Sequence, residues 1–330
     1  MTQQAETTVP SRGSAPVPGG PRVAFTLGDP RGIGPEVVSA AVAAALADSP
    51  DLSVLLVGPA GFDPCAGPYR EVGAWDGTEA GAGKVAVAAI TMAVELALGG
   101  QVDAVVTGPI HKPALHAAGY AFPGHTELLQ ELTGAPRVGM LMAAEETASR
   151  GPLRVLLATT HVALRDVPRL VTSELLVEQT RLLDRALRSG WEIAEPRIAL
   201  CALNPHASDR GLFGDEEGRV LEPAVHLLRE AGVAATGPIP ADTVFTRALS
   251  GEFDAVVAPY HDVGMAAFKT ASFGRGVNVT LGLPFVRTSP DHGTAFDLAG
   301  TGRADPTSTK EALRLAIRLS SRLARARHGA

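Results

Sequence analysis

The chain has 330 residues, 45% of them hydrophobic and 19% charged, with a formal net charge of -6 and a sequence pI near 5.9. Such a composition describes a globular rather than a disordered chain, and its length exceeds what one hydrophobic core usually fills, so two domains are expected. A net negative chain without a Lys/Arg run is a poor partner for nucleic acid, and two distant cysteines, Cys65 and Cys201, exclude a disulfide framework or thiolate metal site and fit a reducing cytoplasm.

Residues 1–22 are rich in Thr, Ser, Pro and Gly and lack the apolar block of a signal peptide, so a floppy tail is expected there. Val23 to Leu27 reads as a strand running into GDPRGIGPEV, where Gly28, Gly32 and Gly34 permit a tight loop. Pro35 and Glu36 suit the first turn of a helix, because the missing N–H costs nothing there and a carboxylate meets the positive dipole end. The spacing is not G-x-G-x-x-G, so the Rossmann fingerprint is absent. LSVLLVG is a second strand, followed by a poorly patterned stretch from Pro59 to Gly83 and a helix from about Lys84 to Leu98. The most apolar helical stretches are too short, or are interrupted by Glu95, and read as buried helices rather than membrane spans.

DAVVTG is the next strand and opens into PIHKPALHAAGYAFPGHTELL. RVGMLMA, LRVLLATTH, RIALCALNPH, DAVVAPYHD and GVNVTLG continue the strands, with helices over about Ser173 to Arg188, about Glu216 to Ala231 and from about Ser308. Apolar strands alternating with helices predict an α/β fold, a mostly parallel sheet covered on both faces, whose ligands bind beyond the carboxyl ends of strands.

His161, His206 and His261 each follow a predicted strand. A single histidine there is more often a hydrogen-bonded structural residue, but three at equivalent positions point to one divalent cation with coordination positions left open. His226 in an amphipathic helix, His328 near the end and His116 in ALHAAG read as structural or solvated, whereas His111 and Lys112 after DAVVTG are open to either a surface or a cleft role. The run 258–305 adds Asp262, Lys269, Asn278, Arg287 and His292, a mixture suited to a small anionic substrate.

Together the segments TLGDPRGIGPEV, TGPIHKPALHAAGYAFPGHTELL, LATTHVALRDVP, LNPHA, GPIPADTVF, YHD and FGRGVNVTLGLPFVRTSPDHGTA resemble the 4-hydroxythreonine-4-phosphate dehydrogenase family of pyridoxal phosphate biosynthesis. Relatives that oxidise D-threonate or D-erythronate 4-phosphate share most of them. The resemblance implies that His161, His206 and His261 bind the cation (Zn, Mg, Co or Mn), with ligands shared across a homodimer interface. It further implies that His125, Thr126, Lys269, Asn278 and Arg287 contact a small phosphorylated hydroxy acid. GDPRGIGPEV and DHGTAFDLAGTGRADP are similar to the isocitrate/isopropylmalate dehydrogenase superfamily, which places His292, Gly293, Thr294 and Asp297 near the adenosine half of NAD. An acidic side chain at the ribose favours NAD over NADP.

The implied fold is two α/β/α units with a cleft between them, the first from 23–130 plus 285–330 and the second from 131–284 with the dimer interface. The implied reaction is NAD- and metal-dependent oxidation with decarboxylation of 4-phosphohydroxy-L-threonine, with Lys269 and Asp242 as catalytic candidates; Asp242 could equally cap a helix. A metal-dependent hydrolase or lyase on a phosphorylated acid is the rival, against which the adenosine-type loop argues. The sequence departs from the biosynthetic pattern at Val263-Gly264 after YHD, in ASDRGLFGDEE, which is closer to the sugar-acid relatives, and in the short region 59–83.

Overall fold

The computed structural model describes residues 20–49, 51–62, 66–147 and 151–328; the expected tail lies outside them except for residues 20–22. The chain opens with β1 (Arg22–Thr26), α1 (Gly34–Asp48), β2 (Ser53–Gly58), β3 (Tyr69–Glu71), α2 (Glu79–Leu98) and β4 (Ala104–Thr107). Two short helices follow, α3 (Lys112–Ala117) and α4 (His125–Thr133), then β5 (Gly139–Ala144), β6 (Leu153–Leu157), α5 (Val167–Leu170), α6 (Ser173–Gly190) and β7 (Ile198–Cys201). The remainder is α7 (Glu222–Glu230), β8 (Ala235–Ile239), α8 (Ala241–Leu249), β9 (Ala255–Ala258), α9 (His261–Ser272), β10 (Val277–Leu281), β11 (Val286–Pro290) and α10 (Thr307–His328).

All the strands join one 11-stranded sheet in the order β3-β2-β1-β4-β11-β10-β5-β6-β9-β7-β8. The sheet is mostly parallel, as expected, but β10 is antiparallel to both β11 and β5, and β5 is antiparallel to β6. The two halves of the sheet therefore run in opposite directions, with β10 and β5 as the seam. Strands of 23–130 and 285–330 fill one half, and strands of 131–284 fill the other.

Several elements differ from the sequence expectation for identifiable reasons. Helix α2 starts at Glu79 rather than near Lys84, because the Thr78 hydroxyl accepts from the Gly81 N–H at 2.9 Å and caps it. Gly83 looks like a loop residue but serves a close helix crossing, since a Cβ there would stand 2.1 Å from the Ala114 carbonyl oxygen. The apolar residues of α2, including Ile90, Ala93 and Val94, are buried in the fold, which accounts for a helix long and apolar enough to cross a membrane. Truncating Ile90 to Ala is expected to cost about 2–5 kcal/mol. The expected helix from about Glu216 begins as a wider π turn over Glu217–Leu221 before α7. Strands β3, β8 and β11 were not expected. The loop after β1 needs its glycine at 28, where φ is +79° and a Cβ would stand 2.2 Å from the Pro109 carbonyl oxygen.

Candidate active site

A cleft of about 710 Å³ opens over the seam of the sheet. Its floor is Met140, Met142 and Asn278, which share one face because Asn278 is paired with Met142 and side chains alternate along β5. One wall is the end of β4 with Lys112 and the start of α4; the opposite wall is the loop after β6 with the first turns of α9. Ser289 to Gly293, at and beyond the end of β11, close one end.

Strands β6 and β9 are parallel neighbours, so the residues following them emerge side by side. The rings of His161 and His261 lie 5.6 Å apart between centroids and are tilted by 42°. Asp262 Oδ1 is 2.7 Å from His261 Nδ1, which leaves Nε2 as the nitrogen without that partner. Burial first, then the charges of Lys112 and His261, hold the His161 imidazole below its usual pKa, with Glu127 opposing. Both features suit neutral imidazole donors to a cation.

His206 does not join them within one chain. It follows β7 in an exposed loop where His206, Ala207, Ser208, Asp209 and Arg210 all have left-handed φ between +45° and +65°, and its ring lies against Phe213. Such a conformation costs non-glycine residues roughly 1–2 kcal/mol each. Buried Glu217 helps to hold the approach to the loop, accepting from the N–H groups of Leu203 and Asn204 and from the Asn204 amide. Among the described residues no group of three His, Cys, Asp or Glu side chains is spaced to hold a metal. Of the three expected metal ligands, one chain thus brings His161 and His261 together and leaves His206 apart, the arrangement that ligands shared between two subunits would need.

The expected substrate residues divide into cleft and subfloor. His125, Thr126, Lys269 and Asn278 line the cleft. Lys269 Nζ donates to the Asp291 carbonyl oxygen at 2.9 Å and lies 3.5 Å from its carboxylate. Arg287 is only 1% exposed, with its guanidinium donating to Thr107 Oγ1 at 2.6 Å and Thr280 Oγ1 at 2.8 Å. It has no carboxylate partner among the described residues, and burial pulls it down to about 9. Asn278 Oδ1, His125 Nε2 and Arg287 Nε are buried without hydrogen-bond partners. Burial, then the Arg287 charge, pushes His125 well below the usual imidazole range. Two of these atoms, Asn278 Oδ1 and His125 Nε2, belong to residues that line the cleft, where a polar ligand or water could satisfy them.

Of the dinucleotide candidates, His292 and Gly293 line the cleft, Thr294 is buried with its carbonyl accepting from the Ile33 N–H, and Asp297 is exposed beyond the cleft. Gly32 lets this loop dock, since a Cβ there would meet the Thr294 carbonyl oxygen at 2.7 Å. Asp242 is exposed on α8, outside the cleft, and makes no side-chain cap at that helix, whose N-cap is Pro240. His111 turns from the cleft toward Glu79 and Arg31, with Phe296 at its edge, whereas Lys112 faces the cleft. His226 pairs with Glu230 on the surface of α7. Sequence reasoning missed Thr107, Met140, Met142 and Asp291; the period-two spacing of Met140 and Met142 in GMLMA was the one available signal.

The family model described as "Pyridoxal phosphate biosynthetic protein PdxA" matches residues 51–316. A 4-hydroxythreonine-4-phosphate dehydrogenase of Geobacter metallireducens is 42% identical over 91% of this chain and 96% of its own length. One of Burkholderia vietnamiensis is 43% identical over 91% and 96%. The solved 4-hydroxythreonine-4-phosphate dehydrogenase of Klebsiella pneumoniae superposes with a TM-score of 0.79 at 39% identity, covering 91% of this chain and 99% of that one. Isocitrate dehydrogenase of Methylococcus capsulatus, at 16% identity and a TM-score of 0.53 over 93% of this chain and 88% of that one, shares the fold.

Proposed function

Because the chain belongs to the PdxA family, we propose that it is an NAD- and divalent-metal-dependent dehydrogenase of 4-phosphohydroxy-L-threonine. The product after loss of carbon dioxide is 3-amino-2-oxopropyl phosphate, for pyridoxal 5'-phosphate biosynthesis. The observation that carries this reading is one cleft holding the His161–His261 pair beside the unpartnered atoms of His125 and Asn278, with the Arg287 guanidinium behind Thr107 in its lining.

The two imidazoles and a third donor fit a divalent ion of the Zn, Mg, Co or Mn kind. When bound, the cation would acidify the substrate hydroxyl and NAD would take the hydride. His161 and His261 would hold the ion in neutral form, with Asp262 orienting the His261 ring. Lys269, Asn278 and Thr126 would fix the substrate, while Arg287 supplies positive charge from behind Thr107 and Thr280. His292, Gly293, Thr294 and Asp297 would receive the adenosine half of NAD.

We place the third metal donor on His206 of the partner subunit in a homodimer, with the site at the interface. Exposed Val162 and Leu164 beside His161, and exposed Leu212 and Phe213 in the stretch after His206, supply apolar surface for such a contact. A proton acceptor could come from the same side: Asp242, solvent-exposed here, would reach a cleft only from the second copy, and Lys269 is the alternative within the chain. A division into units 23–130 plus 285–330 and 131–284 fits a cleft at the β10–β5 seam.

A second reading, oxidation of D-threonate or D-erythronate 4-phosphate, is favoured by Val263, which packs toward the apolar cluster around Phe268 and brings no amide to the site. The test follows reduced nicotinamide by absorbance with metal-loaded protein, NAD and each of the three phosphates. The first reading expects the fastest rate with 4-phosphohydroxy-L-threonine; a faster sugar-acid phosphate transfers the assignment, and silence with all three removes it.

A further inference from the structure

We propose that Lys112 is a further substrate residue of this cleft, the cation that seats the phosphate group beside the α4 turn of His125 and Thr126. The assignment rests on the dehydrogenase reading for its substrate, but the seat itself is argued from the cleft. Of the three cations around that cleft, Lys269 is engaged by the carbonyl and carboxylate of Asp291, and Arg287 lies behind two threonine hydroxyls. Lys112 is exposed, lines the cleft and takes part in none of the ion pairs among the described residues.

Its position is set by backbone. Lys112 opens α3 immediately beyond the loop that follows β4, with Pro113 in the first turn. A Cβ built on Gly124 would stand 3.9 Å from Lys112 Cε, so the end of the lysine stem lies against the residue that precedes α4. Gly124 brings no side chain to cap that helix, and His125, Thr126 and Glu127 of its first turn line the cleft. His125 Nε2, buried without a partner at the first position of α4, is a further polar atom awaiting a ligand. A phosphate needs several donors and at least one cation, and this wall supplies both.

Glu127 stands in the same wall, 3.6 Å from the Gly124 Cβ position. Its carboxylate would repel a phosphate unless an ammonium lay between them, so neutralising Lys112 removes an attraction and uncovers a repulsion. The bland alternative is a solvated lysine on a short helix, and it predicts no selectivity between phosphorylated and unphosphorylated ligands.

The test compares Lys112→Met and Lys112→Arg with the unaltered protein. Inorganic phosphate binding is titrated by calorimetry, and oxidation of 4-phosphohydroxy-L-threonine and of unphosphorylated 4-hydroxy-L-threonine is followed kinetically. Lys112→Met is expected to weaken inorganic phosphate and raise KM for the phosphorylated substrate roughly 10–100-fold. The loss in kcat/KM should be roughly tenfold or more greater for the phosphorylated than for the unphosphorylated compound, and Lys112→Arg should recover most of that difference. Equal losses on both substrates, unchanged phosphate affinity, or no saturable phosphate binding by the unaltered protein would overturn the assignment. If neither compound is oxidised, the dehydrogenase reading fails, while the phosphate titration still decides the role of Lys112.

Discussion

His161 and His261, 100 residues apart in the chain, bring their rings to 5.6 Å because the strands before them are parallel neighbours. Their nearness follows from strand order, and it makes the pair the natural anchor of a cation. Replacing either by Ala should abolish stoichiometric metal binding, measured by elemental analysis, and lower the rate roughly 100-fold or more. Asp262→Asn should weaken metal about 10–100-fold by loosening the orientation of His261.

If His206 of the partner subunit completes the site, mixing subunits carries a signature. His161→Ala and His206→Ala proteins, each inactive alone, should regain about a quarter of the activity when unfolded together and refolded as a mixture, since the mixed dimer holds one intact site. No recovery, with mixed dimers demonstrated by mass spectrometry, would remove His206 from the shared site.

Arg287 gives a case where stability and activity should part. Its burial without a carboxylate is unfavourable, and its pull down to about 9 expresses that cost. Arg287→Met should leave the urea midpoint unchanged or higher, while kcat/KM falls roughly 100-fold. A destabilisation of about 3 kcal/mol or more would make Arg287 a structural residue instead.

The half-buried His125 imidazole, whose Nε2 is shut off from solvent and which burial and Arg287 push below its usual range, fixes the sign of a pH effect. The folded state keeps it neutral while the unfolded chain takes up a proton below about pH 6.5, so its contribution to stability is present above that pH and lost as pH falls. The slope from this group is at most about 1.4 kcal/mol per pH unit. Unfolding by urea at pH 7 and pH 5.5 should show a smaller loss for His125→Leu than for the unaltered protein.

Asp297, exposed on the loop after β11, tests the cofactor half. If it meets the adenosine ribose, Asp297→Ser should lower the NAD-to-NADP ratio of kcat/KM about tenfold, through relief of like-charge repulsion with the 2′-phosphate. An unchanged ratio would move the ribose elsewhere.

The apolar runs and the strand-end histidines made the α/β class and much of the cleft legible in the sequence. Strand direction was not, because an apolar run such as GVNVTLG reads alike in either sense, and the antiparallel seam emerged only with the fold. Strand β11 is hidden in the sequence because a charged residue inside FVRTSP reads as exposed, yet Arg287 is among the most buried side chains. The true start of helix α2 is hidden in the sequence because Gly81 and Gly83 interrupt its apolar pattern, where the first lies by a cap and the second by a helix crossing. The direction taken by His206 depends on five successive left-handed residues without a glycine among them, which no composition rule anticipates.

The most direct measurement is anomalous diffraction at the metal edge from crystals of the metal-loaded protein. The account predicts one peak per cleft, roughly 2.0–2.2 Å from a nitrogen of both His161 and His261. A cleft without a peak under saturating metal, or an ion held away from this pair, would contradict it.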